Sequence, residues 1–390
     1  MQHVPGDDLL DKLEVAKDFK LKIDSFNIKA IGATFKPHGP VHGTVNGRPV
    51  IFAGSNNYLG LTYNKKCIKA AQKAIKKYGT GTTGSRLANG SYNEHVKLER
   101  ELAKFLNTDS AMVFTTGYMA NLGAISYLAS PKDVIMLDSH CHSSIYEGAK
   151  LSGAEIYLFK HNDPQDLDKK LKRLGPKVKR TLVVVESLYS MLGDFCPLKE
   201  MCDVVEENGA YILLDDAHSF GIMGEEGQGL AYILDCQDRV DFITGTFSKS
   251  LASIGGFLIS RKHDIEPLRS QIKSYMFTAS NTPGTIAAAR KALKILKKND
   301  KLRDKLWTNS TTVHKALTEM GFKLGARVSP VIAAVMPDTG MAVRSWTKLL
   351  SYGVYTNLVI PPGAPKNLNL LRLSMSAQHS KDDCNCIIDA

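Results

Sequence analysis

Short apolar runs alternate with amphipathic stretches along most of the chain, and this alternation predicts an α/β protein. The runs carry few charges, which is typical of strands that are buried on both faces of a mostly parallel sheet. Helices between the strands would cover both sides of that sheet. We expect this large domain to span residues 51–285. Its strands are predicted at residues 111–114, 134–137, 155–159, 181–185, 211–214, 242–243 and 257–259.

The two ends of the chain follow other patterns. Apolar residues recur at helical spacing over residues 9–26, and a short strand is expected at residues 50–53, so residues 1–50 are predicted to form a helix-and-strand arm. A lysine-rich helix from about Ala287 and a strand-like run at Val331–Met336 predict a smaller α+β domain over residues 286–390.

Composition indicates a globular protein and favours a cytoplasmic location. Of the 390 residues, 43% are hydrophobic, and no stretch approaches the roughly 20 uninterrupted apolar residues that span a bilayer. The N-terminal residues lack the basic and then apolar pattern of a signal peptide. The seven cysteines form no C-x-x-C pair, which favours reduced structural thiols.

The net charge of +11 leaves several kinds of partner open. The lysines are spread over many helices and no helix-turn-helix accompanies them, so we do not expect nucleic acid to bind. Solvated helix faces explain most of the charge. The alternative explanation of the charge is contact with an anionic partner, either the surface of the inner membrane or a phosphate-rich cosubstrate.

Lys249 is the most informative side chain. It follows the apolar residues Phe242 and Ile243, comes just after the hydroxyl residues Thr246 and Ser248, and precedes a glycine pair. Burial lowers the pKa of a lysine, and a neutral amine is a nucleophile that forms Schiff bases. Taken alone, the segment is more typical of an exposed lysine in a serine-rich turn.

Polar residues follow several of the other predicted strands. In a parallel sheet, ligands bind at the carboxyl ends of the strands, so these residues are candidates for a site. Asp215 and His218 follow one strand, and His142 follows another. An aspartate here could also cap a helix. The His140-Cys-His142 cluster invites a zinc interpretation, but neighbouring side chains on a turn diverge and no second ligand pair lies at a useful spacing.

Gly117 and Tyr118 follow a further strand and mark the start of a helix. Free amides at a helix N-terminus bind phosphate, and glycine allows close approach, although Tyr118 could simply pack. The G-x-G-x-x-G pattern at residues 79–84 is a decoy, because it follows a lysine-rich helix where the dinucleotide fingerprint requires a strand.

Pyridoxal 5′-phosphate explains these strand ends together. It requires a lysine for covalent attachment, an acid at its ring nitrogen, a donor to its phenolic oxygen, a flat group over its ring and a phosphate site. Lys249, Asp215, His218, His142 and the pair Gly117/Tyr118 supply them in that order. A carboxylate that faces the protonated ring nitrogen makes a charge-assisted bond of roughly 1.5–3 kcal/mol.

The chain resembles the α-oxoamine synthases, a family of fold-type I pyridoxal-phosphate enzymes, over residues 56–380. The resemblance lies in the segments Ser55-Asn-Asn-Tyr-Leu-Gly-Leu61, Gly81-Thr-Thr-Gly-Ser-Arg-Leu-Ala-Asn-Gly90, Thr116-Gly-Tyr-Met-Ala-Asn121, His142-Ser-Ser, Asp215-Asp-Ala-His-Ser219, Gly245-Thr-Phe-Ser-Lys-Ser250 and Leu371-Arg-Leu-Ser-Met-Ser-Ala-Gln-His379. It implies a mostly parallel large-domain sheet, a smaller C-terminal domain and a homodimer with the active site at the subunit interface.

The resemblance also implies a role for each matching residue. Lys249 would hold the cofactor covalently and, once displaced, remove the substrate's α-proton, with His142 over the ring and Asp215 at its nitrogen. His218, with Ser190 nearby, would bond the phenolic oxygen. The phosphate would be held by Gly117, Tyr118, Thr246 and Ser248, helped by Thr278, Ala279 and Ser280 of the neighbouring subunit. Arg372 would pair with the amino-acid carboxylate, and Asn56 would also contact substrate.

Within the family, the chain is most similar to the bacterial branch that condenses L-serine with a long-chain acyl-CoA. That likeness implies an acyltransferase that uses palmitoyl-CoA, releases carbon dioxide and gives 3-ketodihydrosphingosine, the first step of sphingolipid synthesis. No metal is expected.

One loop departs from that branch. Ile360 stands where the branch has an arginine that meets the substrate carboxylate, and Asn56 stands where an aromatic residue is frequent. The alternative is therefore a sister synthase that uses alanine or glycine (8-amino-7-oxononanoate synthase or 2-amino-3-ketobutyrate ligase), or an acyl carrier protein as donor. A catalytically silent partner subunit is a further alternative, but such subunits lack the lysine that Lys249 supplies.

Overall fold

The structure is a computed structural model that describes residues 33–361 and 368–390, together with Leu10, Leu13, Lys17 and Leu21. The helix predicted over residues 9–26 and most of the loop after Ile360 lie outside the described residues. The strands are β1 Phe35–Pro37, β2 His42–Val45, β3 Arg48–Phe52, β4 Ala111–Phe114, β5 Val134–Asp138, β6 Glu155–Phe159, β7 Thr181–Glu186, β8 Tyr211–Asp215, β9 Phe242–Thr246, β10 Gly256–Ile259, β11 Val331–Met336, β12 Val354–Tyr355, β13 Asn357–Val359 and β14 Asn369–Ser374.

The helices occur between these strands, as the alternating pattern predicts. Short 3₁₀ turns lie at Leu61–Tyr63, Gly175–Arg180 and Glu266–Ser270. The described α-helices are α1 Lys65–Tyr78, α2 Asn93–Phe105, α3 Gly117–Leu128, α4 Ser143–Ser152, α5 Pro164–Arg173, α6 Leu198–Asn208, α7 Leu230–Ile233, α8 Lys273–Met276, α9 Pro283–Leu296, α10 Asp300–Glu319, α11 Thr339–Ser351 and α12 Lys381–Asp389.

A seven-stranded sheet in the order β4-β10-β9-β8-β7-β5-β6 forms the centre of the molecule. Strands β5 to β9 pair in parallel, and β10 runs antiparallel to both of its neighbours. Side chains alternate between two apolar cores along each strand: Val183 and Val185 enter one core, and Leu182 and Val184 enter the other. The predicted mostly parallel sheet, covered on both faces, is confirmed.

Strand ends differ from the sequence-based limits in one consistent way. The strands β5, β7, β8 and β9 extend past the last apolar residue to include Asp138, Glu186, Asp215 and Thr246. These polar side chains therefore belong to rigid strand ends, where backbone pairing fixes their positions. The strand predicted at residues 50–53 corresponds to β3, at Arg48–Phe52.

Two smaller sheets flank the central one. The order β1-β2-β3-β12 joins the N-terminal strands to the C-terminal part of the chain, because β12 pairs in parallel with β3. The order β11-β14-β13 places Arg372 of β14 opposite Ala333 of β11. The limits proposed for the three domains stay predictions. Across the described ranges, no helix has the length and apolar character needed to cross a membrane.

Candidate active site

The carboxyl ends of the parallel strands meet around a cavity of about 290 Å³. This is where the strand-end argument predicts a ligand. Eight of the residues predicted for the cofactor site line it, and these are Gly117, Tyr118, His142, Asp215, His218, Thr246, Ser248 and Lys249.

Lys249 lies three residues beyond the end of β9, and the side chain is partly buried at the base of this cavity. Burial lowers the pKa of its amine to about 8, and the charges of Asp215 and Glu186 oppose that effect. A lysine with this pKa carries a substantial neutral fraction near neutral pH, which is the nucleophilic form. The segment does turn after β9 and Ser248 is exposed, but the Lys249 side chain is not the fully exposed lysine that the sequence also allowed.

The N-terminus of α3 supplies a site for an anion. Thr116 caps the helix by accepting a hydrogen bond from the Met119 amide (3.1 Å). The amides of Gly117 and Tyr118 have no partner within the helix, because they occupy its first turn. A Cβ on Gly117 would lie 2.9 Å from the Thr246 Cβ, so only glycine leaves this space free. A phosphate fits here, between helix amides and hydroxyl groups.

Asp215 is buried and held rigidly. Its Oδ2 accepts a hydrogen bond from the Asn121 side chain (2.7 Å), and its Oδ1 accepts one from the Ala217 amide (2.9 Å). The Thr244 hydroxyl donates to Asn121 Oδ1 (2.6 Å), which fixes the orientation of the Asn121 side-chain amide. The carboxylate is thereby preorganised to accept a further bond from a group in the cavity.

His142 lies at the N-terminus of α4, where its Nδ1 accepts from the Ser144 amide (3.2 Å). Burial lowers the pKa of His142, and the charge of Lys249 acts in the same direction against that of Asp215. A neutral imidazole results, as a group that stacks on a pyridine ring requires. The His142 amide also donates to Glu186, at the end of β7.

Glu186 lines the cavity as a completely desolvated carboxyl group. Burial raises its pKa well above the usual range, and the neighbouring charge of Asp215 raises it further. The protonated form of Glu186 is therefore favoured. Glu186 was missed as a site residue because its position after an apolar run resembles that of any capping acid.

His218 and Tyr58 form a hydrogen-bonded pair at another wall. The Tyr58 hydroxyl lies 2.7 Å from His218 Nδ1, and both residues are buried. Burial moves the pKa of His218 well below its ordinary value, helped by the positive charges of Lys249 and Arg372. Tyr58 was quoted in a family segment but given no role, and its contact with His218 joins residues far apart in sequence.

Arg372, Asn56 and Ser190 lie beside the main cavity and contact one another. The Arg372 guanidinium donates to the Ser190 carbonyl oxygen, to Ser374 Oγ (2.8 Å) and to Asn56 Oδ1 (3.2 Å). Arg372 is only 5% exposed. Asn56 also lines a second cavity, of about 490 Å³, which shares Ser248 and Lys249 with the first.

Thr278, Ala279 and Ser280 lie away from this chain's own cavity. Ser280 is buried and its hydroxyl lies 2.7 Å from both Thr82 Oγ1 and the Gly90 carbonyl oxygen, while Ala279 pairs with Ser85 in an isolated bridge. Their predicted contact with a neighbouring subunit's phosphate stays a prediction. Within the described residues, no group of three or more His, Cys, Asp or Glu side chains is placed to hold a metal.

The residues in the cavity fit pyridoxal phosphate. A nucleophilic lysine, a rigid carboxylate, a neutral imidazole and a glycine-lined helix N-terminus match the aldehyde, ring nitrogen, ring face and phosphate of that cofactor.

Comparisons with known proteins agree with these observations. Serine palmitoyltransferase of Caulobacter vibrioides is 47% identical over 96% of this chain and 90% of that protein, and that of Sphingomonas paucimobilis is 41% identical over 87% and 81%. A solved structure of SPT with its PLP internal aldimine has a TM-score of 0.95 at 38% identity, covering 98% of this chain and 97% of that one. The model of the family "Aminotransferase class I and II" matches residues 48–390. The chain therefore belongs to the aminotransferase class I and II family, which confirms the relationship that its motifs predicted.

Proposed function

We propose that this chain condenses L-serine with a long-chain acyl-CoA, releasing carbon dioxide and coenzyme A and forming 3-ketodihydrosphingosine. The observation that carries the proposal is a cavity whose side chains fit pyridoxal phosphate, in a chain similar over nearly its full length to serine palmitoyltransferases. The new carbon–carbon bond joins the serine α-carbon to the thioester carbonyl carbon. The carbon–sulfur bond breaks, the serine carboxylate leaves as carbon dioxide, and a proton takes the place of the carboxylate on the α-carbon.

Bound pyridoxal phosphate supplies an electron sink that stabilises negative charge on the α-carbon of an amino acid. The chain's own residues position the reactants and move the proton. The Lys249 amine takes the α-proton, a task suited to a base whose pKa of about 8 lies near neutral pH. Asp215 would keep the cofactor's ring nitrogen protonated, and neutral His218 would donate to its phenolic oxygen.

Arg372 is the proposed anchor for the serine carboxylate. Its guanidinium is desolvated, and burial lowers its pKa while the nearby Tyr58 opposes this effect. Two of its neighbours, Asn56 and Ser374, are neutral side chains, so the described residues close to the guanidinium leave its charge available for an anionic ligand. A planar fork of donors suits a carboxylate.

The second cavity is the proposed site of the acyl donor. It extends from Lys249 and Asn56 to the groove between α1 and α9, where Ile75, Gly284 and Ala288 line it. Helix α1 carries six lysines and no acidic residue. Coenzyme A phosphates or anionic lipid headgroups would be attracted to this rim, consistent with the proposed cytoplasmic location and peripheral contact with the inner membrane.

A direct assay tests the proposed reaction. Purified holoprotein with palmitoyl-CoA is expected to release free thiol with L-serine faster than with alanine, glycine or threonine. Titration of the bound cofactor's absorbance with each amino acid gives the binding preference separately. Release of thiol with alanine or glycine but not serine would replace this proposal by a sister synthase, which the presence of Ile360 in place of an arginine favours. Palmitoyl carrier protein, supplied in place of palmitoyl-CoA, identifies the donor.

Replacement of Arg372 by glutamine is expected to raise the KM for serine by about 100-fold, because loss of a buried charge-assisted bond costs roughly 3 kcal/mol. The KM for palmitoyl-CoA should change little. Arg344→Gln, on α11, is the matched control and should leave both constants unchanged. Equal increases in both KM values would contradict a specific carboxylate anchor.

Covalent capture of pyridoxal phosphate by the apoprotein is expected to accelerate with pH and level off above pH 8. Only the neutral amine reacts, and the pKa of Lys249 is lowered to about 8, so half of it is neutral there. Stopped-flow absorbance measures the rate. A rate that keeps rising toward the ordinary lysine pKa of 10.5 would show that burial does not activate Lys249.

We further propose a homodimer in which Thr278, Ala279 and Ser280 complete the partner's phosphate site. Mixing a Lys249→Ala chain with a Thr278→Ala chain tests this, because one site of the mixed dimer then carries neither defect. Restored activity is expected relative to either variant alone.

A further inference from the structure

A half-buried histidine outside the cavity connects two turns that carry site residues. His161 follows β6, and its two ring nitrogens each contact a carboxylate: Nδ1 lies 2.8 Å from Asp138 Oδ1, and Nε2 lies 2.6 Å from Asp194 Oδ2. A neutral imidazole can donate from only one nitrogen. Two carboxylate partners therefore require the doubly protonated, cationic ring.

The surroundings of His161 favour that cation. Burial alone would lower its pKa, but the bonds to Asp138 and Asp194 outweigh burial and raise the pKa to about 9. Asp138 is fully buried, and Asp194 Oδ1 has no hydrogen-bond partner within the described ranges. The His140 ring stacks on His161 with centroids 3.9 Å apart. Burial and the His161 charge lower the pKa of His140, so it adds no second cation.

The first carboxylate belongs to the turn that carries His142. Asp138 ends β5, and its Oδ1 also accepts a hydrogen bond from the His140 amide (2.8 Å). Its Oδ2 accepts one from the Asn162 amide (2.8 Å), next to His161. These bonds define the path of the chain over residues 138–142, and that path ends at His142.

The second carboxylate belongs to the turn of residues 189–194. The Asp194 carbonyl oxygen accepts from the Tyr189 amide (2.9 Å), which closes the turn, and the Tyr189 ring contacts His161 edge-on at 4.5 Å. The next residue, Ser190, accepts a hydrogen bond from Arg372 through its carbonyl oxygen. Movement of this turn therefore moves a partner of the proposed carboxylate anchor.

We propose that His161, as a cation between Asp138 and Asp194, is a positioning residue. It fixes the turn that carries His142, for binding of the cofactor, and the turn that carries Ser190, for binding of the amino acid. The inference rests on the proposed function of the site. His161 does not line the cavity itself. It acts through His142 on one side and through Ser190 and Arg372 on the other.

His161→Gln is the first test, carried out on the holoprotein. Glutamine retains an NH₂ donor group but carries no charge, so the two turns lose their common cation. We expect the KM for serine to rise tenfold or more, since a misplacement of about 1 Å can cost on the order of 100-fold. The bound cofactor's absorbance should shift as the position of His142 changes. His314→Gln is the matched control, because this half-buried histidine on α10 lies 2.9 Å from the Ala326 carbonyl oxygen and does not line the cavity.

Asp194→Asn is the second test and keeps the inference falsifiable if His161→Gln does not fold. Loss of one carboxylate lowers the pKa of His161, so the rise in KM for serine at alkaline pH should begin at lower pH than in the unmodified protein. Serine's own amino group titrates equally in both proteins, so the difference between the two profiles reports His161.

The outcomes separate the inference from the proposed function. Unchanged KM for serine and unchanged cofactor absorbance in folded His161→Gln would overturn the inference, as would identical alkaline profiles of Asp194→Asn and the unmodified protein. Failure of the unmodified protein to turn over serine would instead reject the proposed reaction. In that case the absorbance shift of His161→Gln still tests the positioning of His142.

Discussion

Lys249→Ala is expected to lose covalent attachment of pyridoxal phosphate and at least about 1,000-fold in turnover. The variant lacks both the amine that binds the cofactor and the base that takes the α-proton, and a positioned base alone contributes typically 10²–10⁴-fold. No other lysine lines the cavity in the part of the chain that the structure describes. Absorbance of the bound cofactor and release of thiol from palmitoyl-CoA measure the two losses.

Lys249→Ala is also expected to keep non-covalent affinity for the cofactor. The amides of Gly117 and Tyr118, the hydroxyls of Thr246 and Ser248, and the carboxylate of Asp215 do not depend on the amine. Equilibrium dialysis should therefore retain pyridoxal phosphate, in contrast to a misfolded protein. Lys273→Ala, an exposed lysine of α8, is the control. Turnover that survives in Lys249→Ala would remove this residue from the mechanism.

Positions at strand ends were the most predictable part of the site. Lys249, Asp215 and His142 each follow a buried apolar run, and parallel pairing of β5, β7, β8 and β9 brings their ends to one edge. That argument requires only the strand assignments and the rule for parallel sheets. The apolar runs ended one to three residues before the strands do, because backbone pairing continues into polar residues that face the site.

Contacts between distant segments were not predictable in the same way. Tyr58 meets His218, and Glu186 meets His142, through the packing of strand ends and not through any local pattern. His161 is the clearest case, because its two carboxylate partners lie on different turns. The sequence shows that each of these residues is polar, but only the tertiary structure shows which residue it contacts and therefore what it could do.

Asp215→Asn is expected to lower kcat by at least about 100-fold with little change in fold. A carboxylate that holds a protonated ring nitrogen makes a charge-assisted bond worth up to about 3 kcal/mol, which corresponds to about 100-fold in rate. Asparagine has one oxygen where Asp215 uses two, since Asn121 donates to Oδ2 and the Ala217 amide donates to Oδ1. Its NH₂ group must therefore face a donor, and no charge keeps the ring nitrogen protonated.

Asp216→Asn is the matched control, because burial favours the uncharged form of this neighbouring carboxyl group. Burial raises the pKa of Asp216 to about 7, against the bond from Ser219, so it is largely protonated below pH 7. A neutral amide then replaces a largely neutral acid, and kcat below pH 7 should change only a few-fold. Single-turnover absorbance with serine separates the proton-abstraction step from binding. If both variants lost kcat equally, general disruption of the β8 end would explain the loss, and the charge of Asp215 would have no special part in catalysis.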